Sequence, residues 1–227
     1  MIKYVSSLDD IKLLEKINGG SCSGIYEFED DKLFKLFDED YRDLSDSINV
    51  EFYDVVKYLS EFNGMPHIVR GKDIYRSDDL LFGYSMDRLD AVNFRSLDDG
   101  VLVDSIFRGF KSLRDDVRVL ADSFVKTEDI GGDNIMFNGD MYLLDLDLSL
   151  VDTRYVPDEL YERCMMSLLC AVRNKVIGDS RFDDVVKNDE YFSYLDGLKN
   201  ACSDAVGKDA ITIGDMRKGY LKIKNRI

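Results

Sequence analysis

The sequence is poor in the residues from which several common sites are built. It has one histidine, His67, and four cysteines, Cys22, Cys164, Cys170 and Cys202, with no CxxC pair. That set argues against a zinc site, and scattered free thiols fit a reducing compartment. Positive charge is also in deficit. Thirty Lys and Arg face 45 Asp and Glu, a formal net charge of −15. This balance argues against nucleic acid or an anionic membrane as partner and favours a basic one. Proline occurs only twice and no segment is of low complexity, so disorder is not expected. No apolar run is long enough to cross a bilayer, and the N-terminus carries no basic-then-apolar leader. A soluble cytoplasmic protein is the expectation; the sequence sets no oligomeric state.

What is present is a chain of 227 residues, 45% hydrophobic, enough for a sizeable core in one large domain or two lobes. Residues 1–16 read as a strand or short helix, in which Ser7-Leu8-Asp9-Asp10 could start a helical turn with Ile11, Leu14 and Ile17 at helical spacing. A Gly- and Ser-rich turn follows. Then Ile25-Tyr26-Glu27-Phe28 and Lys32 to Phe37 flank Glu29-Asp30-Asp31 as a hairpin. Phe52, Val55, Val56 and Leu59 predict an amphipathic helix over 48–62, ended by Asn63-Gly64-Met65-Pro66. His67-Ile68-Val69 and Leu80 to Met86 read as strands. Beyond a polar connector at 90–99 the pattern turns helical, with helices expected at 101–121, 158–175, 182–198 and 212–222. The fold class is α+β, with an antiparallel sheet and one main helix over residues 1–89 and a mostly helical part over 90–227.

The chemistry concentrates in Asp129-Ile130-Gly131-Gly132-Asp133-Asn134 and Asp145-Leu146-Asp147, joined by an apolar hairpin. A carboxylate that orients a hydroxyl, with an amide and a second carboxylate that hold divalent metal, is the equipment of phosphoryl transfer. Upstream, Gly19-Gly20-Ser21-Cys22-Ser23-Gly24 lets backbone N–H groups approach phosphates closely. Lys35 lies among apolar strand residues, where an ammonium needs a partner; alternation also allows it to point outward. Glu51 on the predicted helix is the chosen partner, with Asp54 as its competitor.

These pieces, in this order, resemble the protein-kinase-like fold, which includes protein kinases and the aminoglycoside- and choline-type small-molecule kinases. The resemblance covers about residues 15–150. It implies a bilobal fold with a nucleotide-binding lobe at 1–89 and a catalytic lobe at 90–227. It also implies ATP and Mg2+ as cofactors, with Mn2+ as a substitute. Gly19, Gly20, Ser21 and Gly24 match the nucleotide loop, whose central glycine is Ser21 here. Tyr26 matches the residue that packs on adenine. Lys35 matches the phosphate-binding lysine. Met86, Asp87, Leu89 and Asp90 match the hinge that meets adenine and ribose, and Met136 is counted with the nucleotide contacts. Asp129 matches the catalytic carboxylate, Asn134 and Asp145 the metal ligands, and Asp147 is a further metal-facing candidate.

Departures from the pattern bear on the acceptor. Thr127-Glu128-Asp129 stands where protein kinases have His-Arg-Asp, Gly131 replaces a lysine, and Asp145-Leu146-Asp147 replaces Asp-Phe-Gly. The expected activity is transfer of the γ-phosphate of ATP to an alcohol, foremost Ser or Thr of a protein. A small-molecule kinase and a nucleotide-binding scaffold are the alternatives.

Overall fold

A computed structural model describes residues 1–19, 23–62, 64–127, 130–146, 149–178 and 190–225. The architecture is mixed α+β, strand-rich in its N-terminal region and helix-rich in its C-terminal region. The chain divides into two compact units. The first comprises Met1–Gly64, Val69–Asp90 and Asp145–Leu150; the second comprises Met65–Ile68, Ala91–Leu144 and Val151–Ile227.

The first unit is built on a six-stranded sheet from β1 (Ile2–Tyr4), β2 (Lys16–Gly19), β3 (Ser23–Phe28), β4 (Lys32–Phe37), β5 (Asp73–Arg76) and β6 (Leu81–Asp87), in the order β1-β5-β6-β4-β3-β2. Only the β1–β5 pair is parallel. Both faces are covered, so β4 reads as a nearly continuous apolar run rather than an alternating one. On one face Phe37, Ile74, Leu81 and Tyr84 pack with Val56 of helix α1 (Ser47–Glu61). On the other, Phe28, Phe34, Leu36 and Phe82 pack with Ile11, and Phe28, Phe34 and Tyr75 meet ring to ring with centroids 5.2–5.7 Å apart.

Three expectations need correction here. The helical spacing of Ile11, Leu14 and Ile17 is not used. A single 3-10 turn at Leu8–Asp10 is closed by a Ser7/Asp10 capping box, after which Leu14 and Glu15 bond to Glu27 in extended form and leave Leu14 and Ile17 exposed. The strand expected at 67–69 shrinks to one bridge, Ile68 to Leu143. Strands β2 and β5, absent from the sequence reading, are present because each is completed by neighbours: Ile74 of β5 pairs with Ile2 and Tyr84.

The second unit holds α2 (Val103–Asp122), α3 (Pro157–Ile177), α4 (Tyr191–Val206) and α5 (Ile213–Lys224). The ends follow local chemistry: Pro157 opens α3, Gly178 and Gly207 close α3 and α4 in left-handed conformation, and Thr212 and Asp215 form a capping box on α5. A small antiparallel sheet, in the order β10-β9-β7, comes from β7 (Val92–Asn93), β9 (Ile135–Phe137) and β10 (Met141–Leu143). Two-residue strands β8 (Val125–Lys126) and β11 (Leu150–Val151) complete the list. Gly109 of α2 lies so close to β10 that a Cβ there would sit 3.0 Å from the Met141 nitrogen. Among the described residues no helix is long and apolar enough to cross a membrane.

Candidate functional site

The centre of the first unit's chemistry is Lys35. In β4 it pairs with Ile25 of β3 and Tyr84 of β6, and it shares its sheet face with Phe37, the face that α1 covers. Its side chain is only 8% exposed. Leaving an ammonium there without an acceptor would cost several kcal/mol, on the order of the penalty for a buried ion. The acceptor is Asp145: Lys35 Nζ donates to Asp145 Oδ1 in a short ion pair. Gly83 makes the strand geometry feasible, since a Cβ at that position would lie 1.9 Å from the Lys35 carbonyl oxygen.

Asp145 differs from its partner in two ways. Its side chain is 44% exposed, and its φ is +58°, in the left-handed region that non-glycine residues seldom adopt. Such a conformation persists only where the surrounding chain over-determines it. Leu146 beside it is buried, and the Ser149 amide donates to the Leu146 carbonyl. On the other side Leu144 donates its N–H to the Asn134 carbonyl at 2.8 Å. The residue before Asp145 is therefore pinned to Asn134, the other candidate metal ligand. Asn134 ends a 3-10 turn, Gly132–Asn134, whose Asp133 is held by Asn93 and Arg95.

The remaining expected residues divide as follows. Gly24 pairs with Gly19 across β2 and β3 and leaves room for the Tyr26 ring and the Lys16 side chain. Tyr26 pairs with Phe34 and packs on the face opposite Lys35. The alternation of β3 thus separates Tyr26 from Lys35 and brings Ile25 to the lysine's face instead. Glu51 is exposed on α1, and Asp145 is a carboxylate that the structure brings to Lys35. Met86 is half-buried against the Tyr84 core and pairs with Leu33. Asp87 is ion-paired with Lys72, and Arg88 ties the segment to Asp31 and Glu27, with Leu89 half-buried and Asp90 exposed beyond it. In the second unit, Met136 pairs with Asn93 and Tyr142. Gly20, Ser21, Asp129 and Asp147 lie outside the described residues.

Among the described residues no group of three or more His, Cys, Asp or Glu converges as a metal cage. Mg2+ does not require one: one or two oxygen ligands plus phosphate oxygens and water complete its shell. The Asp145 carboxylate and the Asn134 amide are oxygen donors of that kind.

One residue that the sequence reading passed over, Asp116, stands out in the second unit, and Thr127 gains a partner there. Asp116 is buried on α2, where its carboxylate accepts the His67 main-chain N–H at 2.6 Å and lies 3.4 Å from His67 Nδ1. Burial raises its pKa above the ordinary carboxylate value, against the lowering effect of the His67 bond. The signal was in the helix pattern: Asp116 falls within the apolar stripe of Leu113, Val117 and Leu120. Thr127, just before the expected catalytic loop, meets buried Cys164 of α3 at 3.1 Å, while Lys126 lies over the Tyr155 ring. No protein-family model matches the chain, and no curated protein sequence matches it.

Proposed function

We propose that this protein is a Mg2+-dependent phosphotransferase of the protein-kinase-like fold that moves the γ-phosphate of ATP to an alcohol, foremost Ser or Thr of a protein. The observation that carries this reading is the pair formed by a buried strand lysine, Lys35, and an exposed, left-handed aspartate, Asp145, that directly follows a hairpin pinned to Asn134. A salt bridge kept only for stability has little use for strain on one partner.

Lys35 is the phosphate cation: its N–H donors pass from the Asp145 carboxylate to phosphate oxygens when nucleotide binds. Asp145 and Asn134 would hold Mg2+, which would supply charge neutralisation for the transferred group. Asp129 orients the acceptor hydroxyl and takes its proton. The hydroxyl oxygen forms the new bond to the γ-phosphorus, the bond to the β–γ bridging oxygen breaks, and ADP leaves with that electron pair. Ile25, Leu33 and Met86, on the face of Lys35, form the apolar seat for the base; this replaces Tyr26 in that role.

The test is Mg2+-dependent transfer from γ-labelled ATP to the protein itself, a generic basic protein and a panel of small alcohols. Asp145→Asn is expected to lower transfer by about a hundredfold or more while the fold is retained. Full activity in that variant sinks the reading, and label on a small alcohol alone moves the acceptor class to metabolites.

A further inference from the structure

The left-handed Asp145 needs neighbours that hold it, and the hydrogen bonds around β10 identify them. Successive amides of a strand point to opposite edges. Leu144 donates to the Asn134 carbonyl on the β9 side, and Leu143 donates to the His67 carbonyl at 2.8 Å on the other. Next to it Ile68 bridges Leu143 in parallel, so His67 and Ile68 act as a further edge segment of the small sheet. This segment, Met65–Ile68, belongs to the second unit, although the chain before and after it belongs to the first. Four groups anchor it there: buried Met65 and Ile68, the His67 ring 5.7 Å from that of Tyr142, and the Asp116 carboxylate on the His67 N–H.

We propose that Asp116 and His67 are positioning residues for Asp145: the buried carboxylate fixes the His67 main chain, whose carbonyl holds Leu143 two residues before the metal-binding aspartate. The proposal rests on the functional reading of Asp145 given above. It also gives the chain's one histidine a role that is carried by its backbone, with the ring serving as packing against Tyr142.

The experiment compares wild type with Asp116→Ala and Asp116→Asn by two readouts. The first is amide hydrogen exchange at Leu143 and Leu144, which needs no activity. The second is phosphate transfer resolved into kcat, KM for ATP and the Mg2+ concentration for half-maximal rate. Asp116→Ala is expected to speed Leu143 exchange about tenfold. It should also lower kcat and raise the Mg2+ requirement, each by about tenfold, while KM for ATP stays within about twofold. Asp116→Asn keeps an acceptor but not the charge-assisted bond, so it falls between the two. It also carries the test if Asp116→Ala does not fold. Unchanged Leu143 exchange in a folded variant overturns the proposal, as does faster exchange with an unchanged Mg2+ requirement. A wild type that transfers no phosphate sinks the functional reading instead, and Leu143 exchange then still decides whether Asp116 holds the segment.

Discussion

The two units place charge in opposite ways. Among the described residues of the sheet unit the buried charge is an ammonium, Lys35, and the Asp145 carboxylate paired with it is 44% exposed. Among the described residues of the helical unit three carboxylates are buried, Asp116, Asp152 and Asp215, alongside the guanidinium of Arg173. Each of those carboxylates accepts a main-chain N–H, from His67, Arg154 and Thr212 respectively. Peptide N–H groups are everywhere along a chain, so a buried anion can be satisfied by the backbone it helps to fold. Such anions are structural: they fix an edge segment, a turn and a helix N-terminus. Peptide carbonyls can satisfy an ammonium in the same way, as those of Arg95 and Leu97 do for Lys175. Lys35 is held by a side chain that faces solvent and sits on a strained residue, an arrangement suited to exchanging partners. On the proposed function, the difference separates the charge assigned to phosphate from the charge that holds the fold.

Lys35→Met is the largest test of that separation. Methionine fills the same volume without a charge to bury, so thermal stability is expected to hold or rise. Transfer is expected to fall by about a hundredfold or more, because the phosphates lose their fixed cation. A variant that loses stability and keeps activity would place Lys35 with the structural group and erase the contrast.

Asp116→Ala should behave in the reverse sense in a denaturation experiment. Removing the carboxylate leaves the His67 N–H without its charged acceptor, at a cost of about 2–3 kcal/mol by urea unfolding. Asp116→Asn is expected to cost about 1 kcal/mol. The pH dependence has a definite sign. Burial raises the Asp116 pKa above 3.8, so its protonated form is favoured on folding. Its contribution is complete below 3.8 and declines as pH rises through the folded value. Asp116→Asn should remove that part of the pH profile.

Much of the fold was legible in the sequence because it is written in local periodicity. The stripe of Ile106, Phe110, Leu113, Val117 and Leu120 gave α2 to within two residues at its start, and the Glu29-Asp30-Asp31 turn gave the β3–β4 hairpin. β2 and β5 were not legible, since a strand of four residues is defined by its pairing partners more than by its own pattern. The same limit applies to the site. Lys35 announces itself as a charge inside an apolar strand. That its partner is Asp145, 110 residues away, is a tertiary fact with no local sign. Tyr26 was matched by motif position alone, and its sheet face, opposite Lys35, is set by the β3–β4 register.

A smaller effect sharpens the structural side of the comparison. Thr212 accepts the Asp215 N–H at 3.2 Å and so caps α5. Thr212→Ala is expected to cost about 1 kcal/mol in thermal or urea unfolding, with transfer unaffected. A loss of activity out of proportion to that change would tie α5 to the site.

The smallest expected effect concerns Asp152, and it is visible only in acid. Arg154 donates to both carboxylate oxygens through Nε and Nη2 at 2.8 and 2.7 Å, and its backbone N–H adds a third bond. The guanidinium is the main cause that holds the Asp152 pKa down at about 2. A lowered carboxylate pKa stabilises the fold above the ordinary value of 3.8, and that stabilisation is lost as pH falls through about 2. The Arg154 side chain is 81% exposed, so water and salt screen the pair and the gain is modest. Arg154→Ala is therefore expected to lower the urea midpoint slightly at pH 5, and less so in about 1 M salt. The gap from wild type should narrow as the pH is taken through 2 and close below it, where Asp152 is protonated in both proteins. A gap that persists in acid would mean that Arg154 acts by covering the turn rather than by its charge. Asp152 would then rest on the main chain alone.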